Sequence, residues 1–305
     1  ELAQRVRVAG ARGAVFDPHC ATVHPGHLVR GLATAVEQRG ATLFERSRVT
    51  DITHAGHDGS ESRGERPVVR TRRGRLRAGA VVIATEAWTA RLPGHRRSVL
   101  PIYSLIVLTE PLSDAQWEAI GWQGHECLSS QRLTVDYLSR TTDGRILFGG
   151  RGAPYHFGSR ISPRFDRHEA THRLLADMLA EWFPVLDRPR IAARWGGPLA
   201  MPRDWLPNFR YDPVTGVAGA WGFTGQGVAA TNLAGRTLAD LMTHRSTPLT
   251  RLPMAGHRSR RWEPEPLRWL GARYIQRALT RIDDRAERTG RAPTGRSLAE
   301  RLMRH

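Results

Sequence analysis

The chain has 305 residues, 40% of them hydrophobic, which is enough to bury a sizeable core and argues against a disordered polymer. Cys20 and Cys127 lie far apart and in no CxxC arrangement, which argues against a disulfide framework and fits a reducing cytoplasm, and no apolar run approaches membrane-spanning length. The formal charge of +17 rests on arginine alone, because the sequence holds no lysine; the arginines are scattered without a zinc-finger, RNP or basic-zipper pattern, so they read as solvated surface charge and not as a nucleic-acid face.

The opening stretch, 4–16, has no clear period. Leu28, Val29, Leu32, Ala33 and Val36 then draw one apolar helical stripe, entered through His24-Pro25-Gly26 and ended by Gly40. A strand is expected over 41–44, and 48–52 alternates like a second one. The polar, glycine-bearing stretch 54–67 reads as a long hairpin connection, followed by a small meander over 68–71 and 75–77 with a turn at Arg73-Gly74. The run Ala80-Val81-Val82-Ile83-Ala84-Thr85 suits a strand buried on both faces.

From Val99 the character changes. Strands are expected over 103–109, 133–138 and 145–149, with Thr142-Asp143-Gly144 as a hairpin turn. An amphipathic helix spans 167–183, stopped near Pro184, and a strand follows over 190–195. The chain returns to a strand at 217–220, then a glycine-rich turn, then a helix over 228–242. The tail carries Trp262, Pro264, Pro266 and Trp269 before a charged helix over 270–285. Helix, strand, meander and buried strand make an α/β unit, and the middle of the chain reads as mostly antiparallel.

Two segments carry chemistry. In Gly222-Phe223-Thr224-Gly225-Gln226-Gly227, glycines between a strand and a helix let backbone approach a flat or anionic ligand, and the free N–H groups of the helix favour negative charge. No Lys-Ser/Thr pair follows, so this is not a nucleoside-triphosphate loop. In Val81 to Trp88, a buried strand ends in small residues, which places backbone amides at the carboxyl end of a sheet, where α/β proteins bind ligands. Two other patterns carry less: the spacing of His19, Cys20, His24 and His27 fits no zinc module, so no metal is expected, and no G-x-S-x-G elbow is present.

Together and in this order, the segments resemble the FAD-dependent amine and amino-acid oxidoreductases of the glycine/D-amino-acid oxidase superfamily, closest to its putrescine-type and uncharacterised bacterial branch. Pro18 to Gly40 is similar to the helix ahead of that family's adenine-side strand, and Val82 to Trp88 to its second flavin segment. Pro101 to Pro111 and Asp143 to Gly150 are similar to strands of its substrate domain; Trp195-Gly196-Gly197, Asp204 to Pro207 and Trp221 to Gly235 are similar to its closing motifs. The resemblance implies an α/β (α+β) fold: a partial Rossmann-like FAD/NAD(P)-binding domain over 1–97, closed by 201–245, with an antiparallel substrate domain inserted over 98–200 and a helical extension over 246–305. It implies FAD held by Val49 and Thr50, by Ala84, Thr85, Glu86 and Trp88, and by Gly222, Phe223, Thr224, Gly225, Gln226, Gly227 and Val228. It implies a small amine or amino-acid substrate, O2 or another electron acceptor, and pocket residues Tyr137, Arg140 and His156, with Arg151 and Tyr155 beside them.

The sequence departs from the family in four places. Glu86 stands at the usual glycine. No G-x-G-x-x-G precedes Pro18, so the pyrophosphate cradle is expected to be missing, and FAD to bind weakly unless it is supplied. The lysine that sarcosine-oxidase relatives use to activate oxygen has no counterpart. Leu199 stands where amino-acid-specific relatives carry an arginine, which tilts the expectation toward amines, although Arg203 is near enough in sequence to reach the same space.

Overall fold

The computed structural model describes residues 2–54, 66–150 and 155–303. The chain opens with one helical turn, α1 (Leu2–Arg5); the next residue, Val6, is buried, and Arg7 and Ala9 donate their N–H groups to the carbonyls of Ile120 and Trp182. The start is thereby stitched to the middle of the chain. In α2 (Pro25–Glu37), Pro25 occupies the first turn and the His24 ring accepts the His27 N–H at 3.2 Å. Its apolar stripe falls where the periodicity puts it, yet Leu28, Val29, Leu32 and Val36 are all exposed.

The strand expected over 41–44 is irregular, with Leu43 and Phe44 exposed. No neighbouring strand among the described residues offers its backbone there, and a strand without a partner leaves its N–H and C=O groups to water. β1 (Val49–Thr53), β2 (Val68–Thr71) and β3 (Gly74–Arg77) form the expected antiparallel meander. The connection over 54–67 lies mostly outside the described residues.

β4 (Val81–Ile83) pairs in parallel with a strand more than 130 residues later, so the first sheet of the core closes only when the late chain returns. Ahead of that return come β5 (Leu100–Thr109), α3 (Asp114–Ile120), β6 (Asp136–Arg140), β7 (Ile146–Gly150), α4 (Glu169–Trp182) and β8 (Ile191–Met201). β9 (Asn208–Asp212) and β10 (Val217–Trp221) then complete a three-stranded sheet in the order β4-β10-β9. α5 (Gly227–Met242) packs mainly across β9 and β10. This explains a departure from expectation: Val81 and Ile83 are buried, whereas Val82 is 46% exposed. The tail ends in α6 (Leu267–Thr289) and α7 (Leu298–Met303).

The largest sheet is antiparallel, in the order β6-β7-β5-β8. Tyr103, Leu105 and Val107 alternate onto one face of β5 and pack with Phe148, Leu175, Leu179 and Phe183 into the main core. Each such side chain, fully buried, is worth about 1.5–3 kcal/mol. Local signals set the helices around it: Ser113 and Gln116 form a reciprocal capping box for α3, Gly121 ends it with a left-handed φ of 69°, and Pro184 follows α4. The expected strand over 133–138 starts only at Asp136, because Leu133 and Thr134 donate their N–H groups to the Asp283 carboxylate of α6, each at 2.9 Å. Among the described residues, no helix is long and apolar enough to cross a membrane.

Candidate active site

The parallel pairing of β4 with β10 sets Val81 opposite Val217 and Ile83 opposite Gly219, so the carboxyl ends of the two strands lie side by side. Beyond β4 the chain enters a short 3-10 turn, 86–91; beyond β10 it enters the glycine turn and then α5. Ligands of open α/β sheets bind at this end. Gly222 and Gly225 have φ of 88° and 92°, in the left-handed region that favours glycine, and Thr224 shares it at 54°. A Cβ on Gly225 would lie 3.4 Å from the Leu199 side chain, so β8 abuts the turn at that residue.

Glu86 joins the two segments. Its own φ is 41°, which explains why a glycine suits this position. Its carboxylate accepts the N–H groups of Gly222 at 2.9 Å, Ala200 at 3.2 Å and Phe223 at 3.3 Å. Burial pushes the Glu86 carboxyl above the usual carboxylate range, and these three hydrogen bonds pull it back part of the way. The sequence marks Glu86 as an anomaly but gives no sign of this clamp, whose partners lie 114–137 residues away.

The residues proposed to hold FAD therefore converge. Val49 packs against the cluster of Ile83, Ala87 and Trp221, while Thr50 faces outward and donates to the Arg70 carbonyl at 3.2 Å. Ala84, Thr85, Trp88, Gly225, Gln226 and Val228 are exposed around the same end of the sheet; Gly222 and Phe223 are buried beneath them, and Gly227 opens α5. No side chain caps α5, and its first turn carries no acidic residue.

The pocket candidates do not converge. Tyr137 stands on β6 with its ring over Gly149, where an added Cβ would collide with it, and its hydroxyl lies 3.0 Å from Ser104 Oγ of β5. Burial raises the Tyr137 phenol above its ordinary range, so it keeps its proton at neutral pH. Ser104 alternates with Tyr103 along β5, and Ile102 and Leu199 are cross-strand partners on the Ser104 face. Arg140 is three residues beyond Tyr137 on β6 and faces the other way: it donates to the Trp122 carbonyl and lies 4.0 Å over the Trp117 ring. His156 is stacked on Phe165 at 3.5 Å and meets the edge of Tyr103, on the face away from Ser104. Burial first, then Arg273, Arg160, Arg164 and His168, hold its pKa down at about 4. Arg151 lies outside the described residues.

The tail closes one side of this sheet. Trp262 donates from Nε1 to the Met201 carbonyl at 2.8 Å, Glu263 pairs with Arg203 at 3.1 Å, and Glu265 receives the Tyr155 hydroxyl and the Gly158 N–H. Arg203 and Tyr155 are thus engaged by the tail. Between tail and sheet lies a mostly apolar cavity of about 200 Å³, walled by Leu100, Ile102, Met201, Trp262, Ala272 and Ile275. Ile102 and Met201 flank Leu199 on the same sheet face, one side chain from the glycine turn.

Comparison with known proteins gives the family. The chain is 30% identical over 233 residues to gamma-glutamylputrescine oxidoreductase of Escherichia coli K12, covering 75% of this chain and 50% of that protein. It is 31% identical over 234 residues to the probable oxidoreductase OrdL of Haemophilus influenzae, covering 75% and 49%. The chain thus spans about half the length of these curated relatives. The crystal structure of glycine oxidase from Geobacillus kaustophilus superposes with a TM-score of 0.60 at 25% identity, over 76% of this chain and 58% of that one. The family model described as FAD dependent oxidoreductase, DAO, matches residues 1–241. That match runs from the first residue to the last turn of α5, and the chain belongs to the DAO family of FAD dependent oxidoreductases.

Proposed function

We propose that the chain serves the oxidation of a C–N bond in a small amine or amino acid, with FAD at the carboxyl end of β4 and β10. The observation that carries this reading is the uncapped start of α5, set behind a positive-φ glycine turn and beside the sheet face that bears Leu199, Ser104 and Tyr137. The residues fit the flavin-ring end of the cofactor. Glu86 occupies the Gly222 and Phe223 amides, so the N–H groups of Gly227 and Val228 remain to face the electron-rich side of a bound ring. Trp88, Ala84 and Thr85 would lie along the cofactor, and Val49 and Thr50 toward its adenine.

When bound, FAD supplies hydride acceptance from the carbon next to nitrogen, with O2 regenerating it and yielding peroxide. The chain's own groups orient the substrate. Neutral Tyr137, held by Ser104, offers one hydrogen bond to the amine and keeps its proton. Leu199 puts no cation beside the glycine turn, which favours amines over amino-acid carboxylates. The apolar cavity gives room for the rest of the substrate. The test is anaerobic addition of a putrescine-class amine or of glycine to the FAD-loaded chain. Bleaching of the visible flavin band by the amine, with peroxide formed on admitting air, supports the reading; no bleaching by any amine or amino acid contradicts it.

A second reading is a binding module without turnover, favoured by the exposed stripe of α2 and the exposed Val82 on the edge strand β4. Retained FAD without bleaching separates it from the first.

A further inference from the structure

On the face of the β4-β10-β9 sheet opposite the one that α5 covers lies a polar cavity of about 310 Å³ lined by His95, Asn208, Arg210, Trp221, Arg258 and Arg261. Arg210 projects from β9 and is half-buried, and among the described residues its guanidinium has no hydrogen bond or ion pair. Among the described residues, the guanidiniums of Arg258 and Arg261 likewise have no hydrogen bond or ion pair. Asp212 acts on Arg210 only from beyond ion-pair distance, and Asp204 is committed to His257 at 2.7 Å and Ser259 Oγ at 2.6 Å. A cation withdrawn from water without a counter-ion is costly, and two more cations beside it add repulsion. Arg210 and His95 both feel this: burial, then neighbouring arginines, lower both pKa values.

The cavity is also built to hold its shape. Ser259 N–H donates to Asn208 Oδ1 at 3.1 Å, and Asn208 Nδ2 donates to Ser259 Oγ at 3.1 Å, which fixes the 257–261 segment on β9. Trp262 N–H donates to the Arg97 carbonyl at 2.8 Å, fixing the far end of that segment against the loop that carries His95. The Trp221 ring, edge-on to His95 at 5.6 Å, forms a wall. Arg258 and Arg261 therefore reach the cavity from a segment pinned at both ends.

We propose that this cavity is a binding site for a phosphate-class dianion, carried on a small organic body or as a diphosphate. Guanidinium forks match phosphate oxygens in geometry, and several around one cavity favour a double negative charge over a single carboxylate. The diphosphate could come from FAD itself or from a separate phosphorylated molecule, and competition tells these apart.

The experiment titrates pyrophosphate into the full chain at constant ionic strength, by calorimetry, with sodium chloride as the control salt. Wild type is expected to bind one equivalent, and the exposed double variant R258Q/R261Q to weaken binding at least tenfold. R210K, which keeps the charge but loses the fork, is expected to weaken it less, and R173Q on the exposed side of α4 to leave it unchanged. Displacement of pyrophosphate by FAD assigns the site to the cofactor; simultaneous binding assigns it to a separate phosphorylated ligand. Either supports the site. Heat that sodium chloride reproduces, or affinity retained in both arginine variants, overturns it.

Discussion

Replacing Glu86 separates the two contributions that this residue makes. Glu86→Ala removes the acceptor of three N–H groups and leaves an L-residue at a φ of 41°. Each hydrogen bond is worth about 0.5–1.5 kcal/mol net, and water reaches this half-buried site, so the summed loss is set at roughly 2 kcal/mol. Glu86→Gly loses the same acceptor but removes the backbone strain, so it is expected to recover about 1 kcal/mol relative to alanine. Urea unfolding at constant m-value reads both numbers. The sign of the pH dependence follows from the raised carboxyl: the folded chain holds that proton more tightly than the unfolded chain. The advantage of wild type over Glu86→Ala is therefore largest at low pH and shrinks as pH rises from the ordinary 4.5 through the raised folded value. An alanine variant as stable as wild type would show that the clamp contributes nothing; alanine and glycine variants of equal stability would remove the strain argument.

Three further outcomes follow from the geometry. His156 is held at about 4, below its ordinary 6.5, so stability is lost as pH falls across that window; His156→Phe, which keeps the stack on Phe165, should flatten the slope of melting temperature there, and an unchanged slope refutes the assignment. Asp283→Ala strips the acceptor from Leu133, Thr134 and the Thr134 hydroxyl, at a cost of about 3 kcal/mol, and should expose the tail to protease near 246–266; unchanged cleavage would count against the docking of α6. Tyr137→Phe should lower stability by about 1 kcal/mol or less and reduce amine turnover without changing FAD affinity; unchanged turnover removes Tyr137 from the site.

Much of the fold is readable where local chemistry suffices. The helices at Pro25–Glu37, Glu169–Trp182 and Gly227–Met242 follow from apolar period and from His24, Pro184 and the glycine turn as boundaries. The hairpin at Gly144, with φ of 76°, is likewise local. Reading fails where burial depends on distant partners. The 41–44 stretch has strand-like residues but no neighbour, and Val82 is apolar yet uncovered. Leu133 and Thr134 are taken out of β6 by an aspartate some 150 residues later. One feature of the site was legible all along: on a strand, Tyr137 and Arg140 have opposite parity, so both cannot line one pocket wall. The tail's Trp262, Glu263 and Glu265 gave no such signal, because their partners Met201, Arg203 and Tyr155 lie 60–110 residues away in the sequence.

The central claim is that the glycine turn and the start of α5 hold the flavin ring. It is tested most directly by incubating the purified chain and its Gly225→Val variant with FAD, removing free cofactor, and recording the visible spectrum. A β-branched residue is strongly disfavoured at a φ of 92°, so the variant should lose the flavin band while keeping its fold by circular dichroism. Wild type, though its grip on FAD is expected to be weak, should retain part of the band and more of it than the variant. A wild-type chain that stays colourless at saturating FAD, or a variant that retains as much flavin as wild type, contradicts the account.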